Sequence, residues 1–508
     1  MLAVLQLLRF FVCFKRPLIY IVSFMNSRIN NLHYEKFQDG TVKCIEKEIP
    51  FELPEGWAWA RLNSIVDVRD GTHDTPTYVD KGIPLITSKN LVEGGIDYSN
   101  VKYISEKDAI SINERSGVNI GDILFAMIGT IGNPSMVTED ILISIKNVAL
   151  FKFTFSKNLS NHFVMYFLEY AQEDMKKRPS GGLQPFVSLN FLRTYLVPVP
   201  PVEEQQRIVS ILADSINKIR NIDILKNELT TSVKKAKSKI LDLAIRGKLV
   251  PQDPSDEPAS VLLEHIRAEK EKLIKQGKIK RDKRESVIFK SDDNSYYLRT
   301  GLETEDITDE LPYEIPDSWE WGRIGDIMQV NPRNKLEDSL EVSFISMPLI
   351  DDGFSGNHTS DIRIWKDIKK GFTHFMEGDI GIAKITPCFE NRKSVVFRNL
   401  KNGYGAGTTE LHILRPYAST ILAEYVLAYV KSTMFINSVK QEFTGAVGQR
   451  RIGKDYIENS YFPIPPIAEQ LRIVEQISII YKQLDLISNA LLYLTAVLIQ
   501  GRLIIFTK

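Results

Sequence analysis

The chain is written twice. Glu52-Leu-Pro-Glu-Gly-Trp57-Ala-Trp59-Ala-Arg61-Leu returns 262 residues later as Glu314-Ile-Pro-Asp-Ser-Trp319-Glu-Trp321-Gly-Arg323-Ile. Val197-Pro-Val-Pro-Pro201-Val-Glu-Glu-Gln205-Gln-Arg207 returns as Phe462-Pro-Ile-Pro-Pro466-Ile-Ala-Glu-Gln470-Leu-Arg472. Solenoid units run to roughly 20–50 residues, so a period this long marks a duplicated domain. Each copy opens on a Trp-x-Trp turn and closes on a double proline that starts a helix.

Between these signatures the copies share a plan. Gly82–Thr87, Asp122–Ile128 and Ala149–Phe155 read as strands, the last with Ala149, Phe151, Phe153 and Phe155 in the period of two of a half-buried strand. Ser160–Lys177 reads as a helix capped by Ser160. In the second copy Gly378–Lys384 and Thr409–Leu414 are the matching strands, and Tyr417–Phe443 the helix. The loops differ: Arg69–Pro76 has no counterpart near Asn331–Lys335. A shared framework with divergent loops fits one fold carrying two recognition surfaces.

Each copy runs into a long helix. Ile208, Leu212, Ser215, Ile219, Ile222, Lys226, Leu229, Val233, Ala236, Ile240 and Leu243 are spaced 4,3,4,3, and nine of the eleven are apolar. Ile473, Ile477, Ile480, Leu484, Ile487, Leu491, Leu494 and Leu498 repeat the spacing. Homodimerisation satisfies such heptads equally, but two matched helices in one chain make an antiparallel intramolecular pair the economical choice. The first helix is expected to be roughly 60 Å long at about 1.5 Å per residue. Gly247 and Gly501 are expected to end the helices, which makes the second 11 residues shorter.

Composition narrows the function. At 508 residues, 43% hydrophobic and 25% charged, this is an ordinary globular chain of two to four domains. Cys13, Cys44 and Cys388 give neither a disulfide framework nor a zinc spacing, which points to a reducing cytoplasm. The net charge of zero argues against nucleic-acid binding by bulk charge alone, although Arg267–Arg284 holds nine Lys/Arg against three acids. Charges at Arg9, Lys15 and Arg16 leave no run in Met1–Phe24 of the roughly 18–20 apolar residues that a membrane helix needs. That segment reads as an extension before a more natural start at Met25, disordered or interfacial, with a membrane anchor as the weaker alternative. No phosphate-cradling loop occurs, and Asn133-Pro134 is followed by Ser rather than by the Pro-aromatic pair of an adenine methyltransferase. The chain reads as a binder, not a catalyst.

The Trp-x-Trp segment, the Pro-Pro-x-x-Glu-Gln-x-Arg-Ile-Val signal and the run from Arg246 to Ala259 (Arg-Gly-Lys-Leu-Val-Pro-Gln-Asp-Pro-Ser-Asp-Glu-Pro-Ala) together resemble the specificity subunit of type I restriction–modification systems, over residues 34 to about 501. The resemblance implies an α+β fold: two similar α/β target-recognition domains separated by two long antiparallel coiled-coil helices, in a pseudo-twofold arrangement. It places an N-terminal extension at 1–33, domain 1 at 34–201, a central helix and basic tail at 202–284, a linker at 285–315, domain 2 at 316–466 and a C-terminal helix at 467–508. Each domain would read one half of a bipartite, asymmetric double-stranded DNA target. The implied partners are two methyltransferase subunits using S-adenosylmethionine, and ATP- and Mg-dependent translocating endonuclease subunits. No cofactor, metal or small-molecule substrate is implied for this chain itself.

Base edges are read by paired donors and acceptors, Arg or Lys for guanine and Asn or Gln for adenine. The candidates in domain 1 are Arg69, Thr72, His73, Lys89, Asn90, Lys177, Arg178 and Gln184. In domain 2 they are Arg333, Asn334, Lys335, Lys384, Gln449, Arg450 and Arg451. Gln184 and Gln449 stand at the same repeat position, 265 residues apart. An ordinary solvated loop is the alternative for each.

Overall fold

The computed structural model describes residues 32–36, 40–153, 158–178, 186–281, 285–417, 421–440 and 450–507. The chain divides into two compact units, Met1–Ile222 with Arg502–Lys508, and Asp223–Gly501. The expected N-terminal extension lies outside the described residues, apart from Leu32 and His33.

Unit 1 opens with a hairpin of β1 (Tyr34–Lys36) and β2 (Val42–Cys44). The Trp-x-Trp segment is not a turn but the lead into β3 (Ala58–Arg61), which pairs antiparallel with β14 (Leu196–Val199), Trp59 opposite Pro198. The opening and closing signatures of the copy are thus hydrogen-bonded neighbours.

Within that frame β4 (Asp67–Asp70), β10 (Ile123–Ala126), β11 (Gly132–Met136) and β13 (Val148–Lys152) form an antiparallel sheet in the order β11-β10-β13-β4. β13 is buried throughout, not half-buried: Ala149 and Phe151 enter one apolar cluster while Val148 and Leu150 enter another. Phe155, in the expected continuation of this strand, lies outside the described residues. Lys152 is tolerated there because Asp122 meets its ammonium at 2.7 Å, since a buried charge is costly unless paired. A second sheet runs β12 (Ser144–Ile145), β6 (Ile83–Ile86), β9 (Lys102–Ile104), β5 (Tyr78–Val79), and β7 (Leu91–Val92) with β8 (Gly95–Ile96) makes a small hairpin. α1 (Glu106–Ser116) and α2 (Asn161–Lys177) pack beside them, and Ser160 Oγ caps α2 by accepting from the Phe163 N–H.

Unit 2 repeats the frame with β18 (Glu320–Arg323) on β27 (Tyr461–Ile464), Trp321 opposite Pro463. Its first sheet, β19 (Met328–Val330), β26 (Leu411–Pro416), β23 (Ile380–Ala383) and β24 (Ser394–Val396), has the strand order of β4-β13-β10-β11. Arg415 and Asp379, 2.7 Å apart, stand in for the Lys152–Asp122 pair. In the second sheet β20 (Glu341–Ile345) pairs parallel with β25 (Tyr404–Gly407) and antiparallel with β21 (Asp361–Ile364), as β6 does with β12 and β9. The fourth strand changes sides: β5 attaches to β9, whereas β22 (Thr373–Met376) attaches to β25.

Three expectations need correcting here. Residues 285–315 are no bare linker: β15 (Ser286–Lys290), β16 (Tyr296–Thr300) and β17 (Glu303–Asp306) form a sheet that places Ile288 and Leu298 in the core beneath α4 (Ala259–Lys275). The helix expected over 417–443 is two, α5 (Ala423–Lys431) and α6 (Thr433–Lys440), because Ser432 leaves helical geometry and its Oγ accepts from the Phe435 N–H. Gly501 does not end the second long helix. α7 runs Ile467–Thr507, 41 residues against 43 in α3 (Val202–Ala244), so the expected shortfall disappears. Of the two glycines, Gly247 with φ +65° takes the left-handed conformation of a helix stop, while a glycine inside a helix costs only about 1 kcal/mol.

In unit 2 the end of α3 and the start of α7 run antiparallel. Lys237 pairs with Asp485 and its carbonyl accepts from Tyr481, whereas beyond the helix end Gln252 reaches Glu469 and Asp256 reaches Arg472. Val233 and Ile473 are buried, but Leu229 and Ile487, expected on the same stripe, stay exposed.

The signature glutamine joins each head to its helix. Gln205 donates through Nε2 to the Pro200 carbonyl (2.9 Å) and accepts at Oε1 from the Ser160 N–H (2.8 Å). Gln470 does the same with the Pro465 carbonyl (3.0 Å) and the Leu422 N–H (2.9 Å). Both side chains are fully buried. Gln470→Ala strands a buried carbonyl and a buried N–H, and is expected to destabilise unit 2 by ~2–4 kcal/mol in urea unfolding. Exposed Gln206→Ala should stay within about 0.5 kcal/mol of the wild type.

Candidate nucleic-acid interface

In each unit one end of the first sheet gathers polar groups from several segments. In unit 1 β4 ends at Asp70 opposite Ala149, and the next residues cross to the second sheet: the Gly71 N–H donates to Val148 O and the Thr72 N–H to Ile145 O, both at 3.0 Å. Only glycine fits this crossing, since a Cβ on Gly71 would lie 2.3 Å from Ile145 O. His73 then stands between two acceptors, with Nδ1 2.9 Å from Asn147 Oδ1 and Nε2 2.8 Å from Asp70 Oδ2. Arg115 Nη2 holds Asp70 from the other side at 2.9 Å and also donates to Gly71 O. An imidazolium donates to both neighbours whereas neutral imidazole donates to one, so Asn147 and then Asp70 raise the His73 pKa above the usual histidine range. Lys146 reaches Thr75 Oγ1, and exposed Lys89 stands on the short turn after β6.

The remaining candidates of unit 1 lie elsewhere or are engaged. Asn90 is buried, caps its own turn with Thr87 and donates to Asp97 O, so its amide is committed to the fold. Arg69 donates to Asp67 and to the Arg115 carbonyl. Lys177 and Arg178 close α2, Arg178 paired with Asp174 at 2.9 Å. Gln184 lies outside the described residues, but Phe186 just beyond it bridges to Ile128 and returns the chain to the same sheet end.

Unit 2 builds the matching end differently. Asn331 stands where Arg69 does, since Val330 lies opposite Leu414 as Val68 lies opposite Phe151, and it exchanges hydrogen bonds with Ile413 and His412. His412 Nε2 is 3.0 Å from Ile452 O, and burial holds its pKa down. The Ile452 N–H donates to Lys384 O and the Thr386 N–H to Arg450 O, which fixes Lys384, Arg450 and Arg451 beside one another. Arg451 forks onto Glu410 through Nε (2.9 Å) and Nη2 (3.1 Å). The Lys384 and Arg450 side chains have no hydrogen-bond partner among the described residues, and Arg450 is exposed. Arg333 and Asn334 are engaged: Arg333 donates to Phe372 O, and Asn334 donates to Phe375 O and accepts from Arg415. Lys335 is exposed, and Gln449 lies outside the described residues.

Sequence reading missed Arg115, Lys146, Asn147 and Glu410. Lys146-Asn147 had the same dipeptide signal as Lys89-Asn90, whereas Arg115 and Glu410 join only through tertiary packing. Among the described residues no three side chains are set to hold a metal, and no helix is long and apolar enough to cross a membrane.

Comparison with known proteins places the chain in a class. The model of the type I restriction modification DNA specificity domain matches twice, at residues 54–231 and 316–495. The chain belongs to that family and carries two copies of its domain. It is 48% identical over 243 residues to the specificity subunit of type I restriction enzyme EcoAI from Escherichia coli and 46% identical to that of EcoEI, 48% of this chain and 38% of each relative being covered. The match therefore spans well under half the length of these relatives. A chain from a structure of the type I R-M system covers 90% of this chain and 98% of itself at a TM-score of 0.58 and 18% identity. The HsdS subunit from Thermoanaerobacter tengcongensis covers 91% and 98% at a TM-score of 0.50, also at 18% identity. At these identities the two structures speak to the fold alone.

The geometry around His73 generates a titration test. A raised pKa means that its hydrogen bonds contribute fully below the ordinary histidine value near 6.5 and fade as pH rises through the folded value. Observed by NMR, His73 should titrate above that ordinary value, and Asn147→Ala should move it back down.

Proposed function

We propose that the chain is the non-catalytic DNA-specificity subunit of a cytoplasmic type I restriction–modification complex. Each unit reads one half of a bipartite, asymmetric DNA sequence, and the long helices scaffold two methyltransferase subunits and the translocating endonuclease subunits. S-adenosylmethionine, ATP and Mg belong to those partners, not to this chain. The observation that carries the reading is that the same end of the same four-stranded sheet is lined by different segments in the two units: Thr72, His73 and Lys146 in unit 1, Lys384, Arg450 and Arg451 in unit 2. A duplicated frame with unlike donors is what two unlike half-sites require.

Mobility shift on DNA with and without methyltransferase subunits tests the reading, which expects a sequence-selective, salt-sensitive shift. No shift under any condition would favour the alternative, an adaptor joining two protein-binding domains, which the zero net charge permits. Arg450→Ala should weaken binding by ~1–3 kcal/mol and relax selectivity only in the half-site read by unit 2. Uniform weakening across half-site variants would mark Arg450 as a phosphate contact instead. Removing one heptad from α3 and one from α7 should shorten the unread spacer and leave both half-sites unchanged when methylation is mapped.

A further inference from the structure

Unit 1 contains a cavity of about 540 Å³ bounded by the β7–β8 hairpin, β11, α2 and the first half of α3. Its lining combines Tyr98, Met136, Met165 and Ile216 with the carboxylate-bearing Glu139 and Glu169. In unit 2 the repeat has filled the matching space with its own side chain.

The shared glutamine bonds fix the correspondence. Ser160 and Leu422 donate to Gln205 and Gln470, which aligns Met165 with Leu427 and Glu169 with Lys431 on the head helices, and Ile216 with Tyr481 on the long helices. In unit 1 four residues separate the bridged pair Leu91 and Ile96; in unit 2 seven separate Ile350 and His358, and the longer loop carries Phe354. The Phe354 ring packs edge-on against Tyr481 at 5.9 Å, with the Arg392 guanidinium 4.8 Å above it. Lys431 secures the loop by donating to Gly353 O at 2.7 Å, and Gly356 lies so close to Leu427 that a Cβ would meet Cδ2 at 2.9 Å. Unit 1 has Glu93-Gly94-Gly95 where that loop stands, Ile216 for Tyr481 and Glu169 for Lys431.

We propose that the unit 1 cavity is a docking site for a partner protein that inserts an aromatic side chain. The aromatic requirement follows from the plug that the sister unit supplies itself, and the volume suits one ring with adjoining backbone. Met136 and Met165 are adaptable walls for such a ring, and buried aromatic anchors dominate interface energetics. The proposal is independent of which bases, if any, the sheet ends read.

The test uses the full chain and the peptide acetyl-Gly-Lys-Phe-Gly-amide carrying 4-fluorophenylalanine, followed by fluorine NMR. Saturable broadening is expected, with at least tenfold loss of affinity in Ala213→Trp, which fills the cavity. The same peptide with Leu for Phe should bind at least tenfold more weakly. A second variant replaces residues 92–95 with the loop 351–357, supplying the plug in cis; it should also abolish binding, and decides the matter if Ala213→Trp melts early. No binding by the wild type, or equal binding by both filled variants, overturns the proposal.

Discussion

Two buried amides hold the architecture in register. Gln205 and Gln470 each tie the carbonyl at the double proline to the first N–H of a head helix, at the point where a long helix leaves the head. A helix start has N–H groups that need partners and a proline that supplies no donor, so the direction in which the chain leaves is otherwise weakly determined. With the amide in place the exit is set by two hydrogen bonds shielded from water. Around it the opening strand pairs with the closing strand, so the head is sealed at its neck before any recognition loop is specified.

Inside that neck the copies have diverged by degrees. The first sheet keeps its strand order and its buried ion pair, Lys152–Asp122 in one unit and Arg415–Asp379 in the other, a change of cation without a change of role. The second sheet keeps three strands and moves the fourth to the opposite edge. At the sheet end one backbone bond is kept, Val187 N–H to Met127 O in one unit and Ile452 N–H to Lys384 O in the other, while the loop after the first strand takes a different course. Variation increases with distance from the neck, as expected where packing restricts one region and solvent permits change in the other.

Much of this was legible in the sequence. Repeated signatures, short β-rich runs and 4,3 spacing announced the duplicated heads and the long helices, since each depends on local periodicity. The sheet at 286–306 carried the alternating signal of Ser286–Lys290 but is interrupted by Asp292 and Asp293, which read as linker composition. Gly501 misled because a glycine stops a helix only if the following chain turns back, and that is decided by tertiary context. The candidate site was half legible. Exposed Lys89, Lys335 and Arg450 could be guessed from composition, whereas the engagement of Asn90, Arg333 and Asn334 depends on acceptors far away in sequence.

The paired strands at the neck carry an evolutionary consequence. Ala58 lies opposite Val199, so the chain enters and leaves a head through adjoining positions, and Glu320 opposite Ile464 gives the other head the same doorway. Everything between can be exchanged as a cassette at two short stretches that recur within the chain, without lengthening or redirecting the helices outside. A whole head can then be replaced with no need to rebuild the scaffold that carries it.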